Sequence, residues 1–367
     1  MDHLTFQLER DASGAVDVHV HKTQVASRFH FDKCSNNLPK MTAEETWDLN
    51  SEQLWAELGR ELLASEIGNK KKTKYLAILS STRYVNTKHI VPFSHAHALS
   101  LTRGQVTLGG GGLALAGAAC LWTWPTCIAD VQETLRDTTQ IDSRELLDDS
   151  AYRGTVGGCY ATTLGSVLHE LGHCFDLGHT ESGIMERGFD QLDTLLTVGE
   201  AAKVPKQTCG RRLAPCGGEV EEEEEAREVA EQSPPRFTIV RRSSSVSRYL
   251  EEYQQRRRGE VATSLGDCRW GRSAALLLAR QPWLGVTEAS QCKGEAGRQG
   301  EQVAACCTLA VAELRGERGA VRHWWEGGEG VTSLPLNEVR TEVARAKDDQ
   351  LELVVAMTCG RLLRLQP

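Results

Sequence analysis

The 367-residue sequence predicts an α/β (α+β) fold in which a mixed sheet packs with one central helix, followed by a smaller β-rich C-terminal module. Three observations carry that reading. Apolar residues at helical spacing alternate with short β-prone runs through the first two hundred residues or so. A strongly acidic stretch then interrupts all apolar periodicity, and strand-like runs resume beyond it. The implied boundaries are 1–209 for the first domain, 210–262 for a linker and 263–367 for the module.

Taken in order, Leu54, Leu58, Leu62 and Leu63 fall at helical spacing within residues 51–67, after a Thr42 to Glu45 segment with the form of a capping box. Residues 74–81 read as a strand, and 105–108, 112–116 and 120–124 as further short strands. Trp122 and Trp124, two positions apart, would share one face of the last of these, as core or cleft wall. The glycine run 109–112 invites comparison with a phosphate loop, but no Gly-Lys-Ser/Thr follows, so a tight turn or bulge is expected. Residues 162–175 form the central helix, with Leu164, Leu168, Leu171 and Phe175 as its buried stripe. In the module, a helix over 273–279 precedes two strand-like runs, 304–314 and 320–325, which flank Arg315-Gly316-Glu317-Arg318-Gly319 as a hairpin. A last strand is expected over 351–357.

Between Glu219 and Glu231 eight glutamates face the single Arg227, a segment too polar to offset its own chain entropy. The net charge of -8 argues against nucleic-acid or anionic-membrane partners, which reward basic patches. The start of the sequence carries no basic segment followed by an apolar run, and no stretch of eighteen apolar residues occurs, so a cytoplasmic setting is expected, with the nucleus open. In that setting the twelve scattered cysteines are expected as reduced thiols. With no CxxC pair among them, a cysteine-based zinc site is not expected. His89, His95 and His97 read as surface or core histidines ahead of a second metal site.

The chemistry is concentrated in His169-Glu170-Leu171-Gly172-His173, followed by His179 and Gly183-Ile184-Met185. Residues four apart share a helix face, so His169 and His173 can address one metal ion while Glu170 sits beside it. His179, six residues on, can supply a third nitrogen once the chain turns back. Three protein ligands leave a tetrahedral zinc ion with one open position, the mark of a catalytic site over a structural one. The expected chemistry is peptide-bond hydrolysis by a zinc-bound water whose proton Glu170 takes. One zinc ion and a peptide or protein substrate are therefore expected; substrate preference and oligomeric state are not encoded legibly.

The extended motif resembles the metzincin clan of zinc peptidases, whose signature is HExxHxxGxxH with a methionine turn beneath the metal. That resemblance implies that Met185 is the turn methionine. Asp176 stands where the clan has glycine, and Asp is among the residues that most readily enter positive φ. Stretches 108–115, 120–125, 162–168 and 175–180 are similar to a zinc metallopeptidase family of fungi and animals that shares this Asp variant, and a weaker similarity runs through 269–273 and 312–324. The resemblance implies a metzincin-like fold and peptidase activity. In that picture Gly112, Leu113, Ala114 and Leu115 form either the upper edge strand, along which a peptide adds as a further strand, or an ordinary interior strand. Two other functions compete: a catalytically idle zinc-bound scaffold, and an adaptor or lectin-like role for the C-terminal module.

Overall fold

Leu54, Leu58 and Leu62 repeat every four residues because one helix face must be covered, and a sheet covers it. In the computed structural model the described residues are 2–10, 16–24, 41–64, 74–196, 268–281, 292, 294–346, 348 and 350–367. The expected linker, 210–262, lies outside them. Residues 1–197 and 266–367 group into one compact unit. The β-rich C-terminal module thus shares a unit with the segment that carries the histidines.

Strands β1 (Asp2–Arg10) and β2 (Val16–Gln24) pair antiparallel. Helix α1 (Ala43–Trp47) starts on the expected capping box: the Thr42 side chain accepts from Glu45 N–H, and the Glu45 carboxylate accepts from Thr42 N–H. Helix α2 (Ser51–Ala64) follows, and then β3 (Lys74–Leu79). Two-residue strands β4 (Arg83–Tyr84) and β5 (Thr102–Arg103) flank helix α3 (His95–Ser100), and a hairpin is made by β6 (Thr107–Gly110) and β7 (Leu113–Gly117). The mixed sheet runs β2-β1-β3-β7-β6, with β3 and β7 parallel and the other pairs antiparallel.

Leu113 and Leu115 pack with Leu54, Leu58, Leu62, Tyr75 and Leu79 between α2 and the sheet. Period-two alternation leaves Ala114 and Ala116 for the opposite face, where their small side chains let a helix approach closely. After helix α4 (Val131–Leu135), that place is taken by the long helix α5 (Val156–Cys174). Gly165 of α5 meets the turn at Phe189, before helix α6 (Leu192–Leu196).

The C-terminal part begins with α7 (Arg272–Leu278), β8 (Gly297–Gln299) and β9 (Gln302–Ala304). It continues with β10 (Leu309–Arg315), β11 (Val321–Glu326), β12 (Ser333–Pro335), helix α8 (Leu336–Ala346), β13 (Glu352–Met357) and β14 (Leu362–Leu365). An antiparallel sheet runs β11-β10-β13-β14, and a smaller one β12-β9-β8. One face of the larger sheet buries Leu353 and Val355 with Leu336 and Val339. The other buries Val311 and Ala356 against Ala274 and Leu277 of α7 and, from the segment after α5, Leu177 and Met185. That shared core joins the two parts.

Several expectations are corrected. Residues 120–124 are not a strand: Leu121–Thr123 is a single 3-10 turn, closed by the Thr123 hydroxyl donating to Cys120 C=O at 2.8 Å. Trp122 is therefore exposed, while Trp124 donates to the Thr163 hydroxyl, so the two rings do not share a face. Leu164, Leu168, Leu171 and Phe175 are only half-buried, because α5 is enclosed on most sides through its small residues Gly157, Gly158, Ala161, Gly165 and Gly172. Of the two readings open for residues 112–115, the structure shows the interior one: they belong to the hairpin turn and to β7, which pairs with β3 on one side and β6 on the other, and the sheet edge beside α5 is β6. Gly111 and Gly112, both at positive φ, are the tight turn expected of the glycine run. Among the described residues no helix is long and apolar enough to cross a membrane.

A Cβ at Gly165 would overlap the Phe189 carbonyl, whereas one at Gly110 meets nothing within 4 Å. Gly165→Ala should accordingly lower unfolding stability by about 1–3 kcal/mol in urea titration, with Gly110→Ala close to neutral. Equal effects of the two would contradict the close helix packing.

Candidate metal centre

Helix α5 opens on Thr155, whose hydroxyl accepts the Gly158 N–H at 3.1 Å, and ends at Cys174. His169 and His173 lie one turn apart near its end, their rings edge to face with centroids 4.7 Å apart. The helix stops in a Schellman arrangement. Asp176 takes φ 65°, its N–H bonds His173 C=O at 3.1 Å, and Leu177 N–H bonds Gly172 C=O at 3.1 Å. Left-handed backbone is unfavourable for a residue with a Cβ, and here two arginines hold it. Arg315 Nη2 donates to Asp176 C=O at 2.7 Å, and Arg364 donates to the Asp176 carboxylate.

Past this turn His179 comes back over α5, fixed by the β10–β11 connection. Its N–H donates to Gly319 C=O at 3.0 Å, and its own C=O accepts from Val321 N–H at 2.7 Å. Gly178 is required there, since a Cβ would strike the Gly319 carbonyl. The three rings then converge. His173 Nε2 stands 3.1 Å from His169 Nε2 and 3.1 Å from His179 Nε2, and all three lie within 4.8 Å of one another.

Each ring is aimed by a backbone carbonyl. His169 Nδ1 bonds Ile184 C=O at 2.7 Å, His173 Nδ1 bonds Leu177 C=O at 2.9 Å and His179 Nδ1 bonds Arg318 C=O at 3.0 Å. A carbonyl only accepts, so every Nδ1 carries the proton and every neutral Nε2 presents a lone pair to the shared space. Neutral rings cannot hydrogen-bond there, having no proton between them. Charging them is costly too: burial, with the neighbouring His173, pushes His169 down to about 3, and burial, with His179, pushes His173 down to about 4. His179 is lowered by burial as well. A cation fits this donor set, and zinc–nitrogen bonds of about 2.0–2.1 Å imply tetrahedral nitrogen separations of about 3.4 Å, close to those present.

Glu170, one position from His169, is buried beneath the edge of the sheet, where the Gly109 N–H of β6 is directed at its carboxylate. Burial raises its carboxyl to about 7, against the opposing pull of that N–H. Gly109 permits the approach, since a Cβ there would overlap the Glu170 backbone. Met185 is fully buried and its side chain fills the space left by Gly172, between the two helical histidines in sequence. Leu113, Ala114 and Leu115 are buried in β7 and are not part of the cluster. His89, His95 and His97 lie elsewhere, His89 bonded to Glu145 and His95 to Asp149.

Sequence reasoning missed Arg315, Glu313 and the carbonyl of Arg318. Arg315 and Glu313 form an ion pair that is 6% and 1% exposed, with Nε to Oε2 at 2.8 Å. The Arg-Gly-Glu-Arg-Gly hairpin was readable as a turn, but nothing local ties it to His179, 139 positions away from Arg318.

Three imidazoles converging at the end of the helix that also carries the buried Glu170 define a candidate metallopeptidase centre. The chain belongs to the family described as "Putative peptidase family", whose model matches residues 1–264. It is similar to a "putative zinc metalloproteinase" of Saccharomyces cerevisiae, 36% identical over 114 residues, 30% of this chain and 16% of that protein. A second relative of the same description, from Schizosaccharomyces pombe, is 32% identical over 117 residues, 31% of this chain and 19% of the relative. The chain therefore spans less than a fifth of the length of either. No solved structure matches it.

Arg315→Met leaves Glu313 buried without its partner and Asp176 C=O without its donor, which should cost about 3–5 kcal/mol in urea unfolding. The double change Arg315→Met with Glu313→Leu should recover part of that loss. A single variant as stable as wild type would remove the ion pair from the account of how the turn is held.

Proposed function

We propose that this protein is a zinc-dependent peptidase in which His169, His173 and His179 hold one ion and Glu170 is the general base. The convergence of three Nε2 lone pairs, with the buried Glu170 next in sequence to His169 and outside the cluster, carries this reading. The two relatives described as zinc metalloproteinases support the choice of zinc. When bound, zinc supplies Lewis acidity toward a carbonyl oxygen and toward water. Glu170 takes the proton of the attacking water and returns it to the departing amine, so no covalent intermediate with the chain is needed.

The substrate segment is assigned to β6. Among the described residues this strand is one of the two edges of the mixed sheet, runs beside α5 and reaches Glu170 through Gly109. An extended peptide adding to β6 would place its backbone along the histidine cluster with ordinary ladder hydrogen bonds. Met185 is the apolar floor of the site in the metzincin manner, and the His-Glu-x-x-His segment with Asp176 at the turn is the corresponding motif. A polarisable thioether fills such a floor without ligating.

Glu170→Gln should keep its zinc, by elemental analysis of the purified protein, and lose turnover of a peptide library by about 10²–10⁴-fold. His179→Ala should lose the ion held by the histidines and turnover together. Full turnover by a zinc-loaded Glu170→Gln protein would remove Glu170 from the mechanism, and a zinc-loaded wild type that cleaves no peptide would favour the idle scaffold.

A further inference from the structure

Cys292, Cys306, Cys307 and Cys359 are scattered over 68 positions and contain no CxxC pair, yet the C-terminal part brings them together. Cys306 and Cys307 occupy the connection between β9 and β10. Cys359 sits in the turn between β13 and β14, made possible by Gly360 at φ 82° and closed by Gly360 N–H to Met357 C=O at 2.9 Å. The two connections lie side by side because β10 and β13 are paired, and Thr358 N–H bonds Thr308 C=O at 2.9 Å. Cys292 reaches them through Gly294, where a Cβ would crowd the Cys306 carbonyl. The Cys292 thiol lies 3.2 Å from that carbonyl.

We infer that these four cysteines form a second zinc site, a closed all-thiolate site of structural type, distinct from the three-histidine centre and independent of the activity proposed for it. The four sulfurs lie within 4.8 Å of one another, and Cys306 Sγ is 3.6 Å from Cys359 Sγ. Zinc–sulfur bonds of about 2.3 Å give tetrahedral sulfur separations of about 3.8 Å, whereas a disulfide requires about 2.05 Å. Two of the four sulfurs have backbone or hydroxyl donors suited to a thiolate. The Cys359 N–H and the Thr358 hydroxyl are directed at the Cys307 sulfur, and the Arg361 N–H at the Cys359 sulfur. Such donors stabilise metal-bound thiolate and orient it. The Arg361 guanidinium, bonded to Gly294 C=O at 2.9 Å, adds positive charge beside a centre whose four thiolates outweigh one dication by two. By contrast, Cys120 and Cys159 are buried as a pair and offer only two sulfurs. With four protein ligands and no open position, the ion would tie the turns at one end of the β10–β13 sheet, the sheet whose other end holds His179.

The test uses the full chain, purified under reducing conditions, stripped with chelator and reconstituted with zinc. Two zinc ions per chain are expected, with X-ray absorption resolving sulfur neighbours at about 2.3 Å and nitrogen neighbours at about 2.0–2.1 Å. Cys359→Ser should drop the content to one and remove the sulfur shell, while His173→Ala should remove the nitrogen shell and spare the sulfur. Should the cysteine variant fail to fold, cobalt loading of wild type decides, because thiolate ligation gives an intense near-ultraviolet charge-transfer band that imidazole ligation lacks. Only nitrogen and oxygen neighbours in the zinc-loaded wild type, no thiolate band with cobalt, or a mass deficit showing disulfides among these four cysteines in the reduced preparation would each overturn the inference.

Discussion

Three imidazole lone pairs share one small volume, and each is aimed by a backbone carbonyl from a different stretch: Leu177, Ile184 and Arg318. That constraint organises the surrounding fold. Helix α5 supplies two of the rings only because glycines let it lie close under the sheet and against Phe189. The turn after it must reverse immediately, so a residue takes positive φ at Asp176. The third ring must be held from above, and the β10–β11 connection does so through its own backbone.

The C-terminal part is therefore a component of the site. Arg315 reaches from β10 to the Asp176 carbonyl, and Glu313 fixes Arg315 from two residues away on the same strand. Burying such a pair costs desolvation on both sides, and breaking it costs more than removing it whole. Through this placement the guanidinium specifies one geometry for a turn that glycine would make more easily but less uniquely. Leu177 and Met185 complete the link by sharing a core with Val311 and Ala356.

Much of the site was legible in the sequence because its signal is local. His169 and His173 are four residues apart on one helix, with Glu170 between them, and helical period alone brings the two imidazoles together. The capping box at Thr42, the hairpin around residues 315–319 and the β7 run were legible for the same reason: short-range periodicity and turn chemistry. What was not legible depends on distant pairing. Residues 112–115 could be read as a strand, but only the parallel partnership with β3 shows that β7 is interior and that β6 is the edge. The Trp122 and Trp124 segment has β-prone residues, yet the Thr123 side chain closes a 3-10 turn instead. The partners of His179 lie more than a hundred positions away, and no periodicity spans that gap.

The central claim, that three Nε2 atoms converge on one ion while every Nδ1 proton is held by a carbonyl, is tested most directly by long-range proton–nitrogen correlation spectra of histidine-labelled protein with and without zinc. His169, His173 and His179 should each show the Nδ1–H form, with the Nε2 resonances, and those alone among the ring nitrogens, moving on zinc addition. An Nε2–H form at any of the three in the zinc-loaded protein, or a His179 ring whose resonances ignore zinc, would contradict the account.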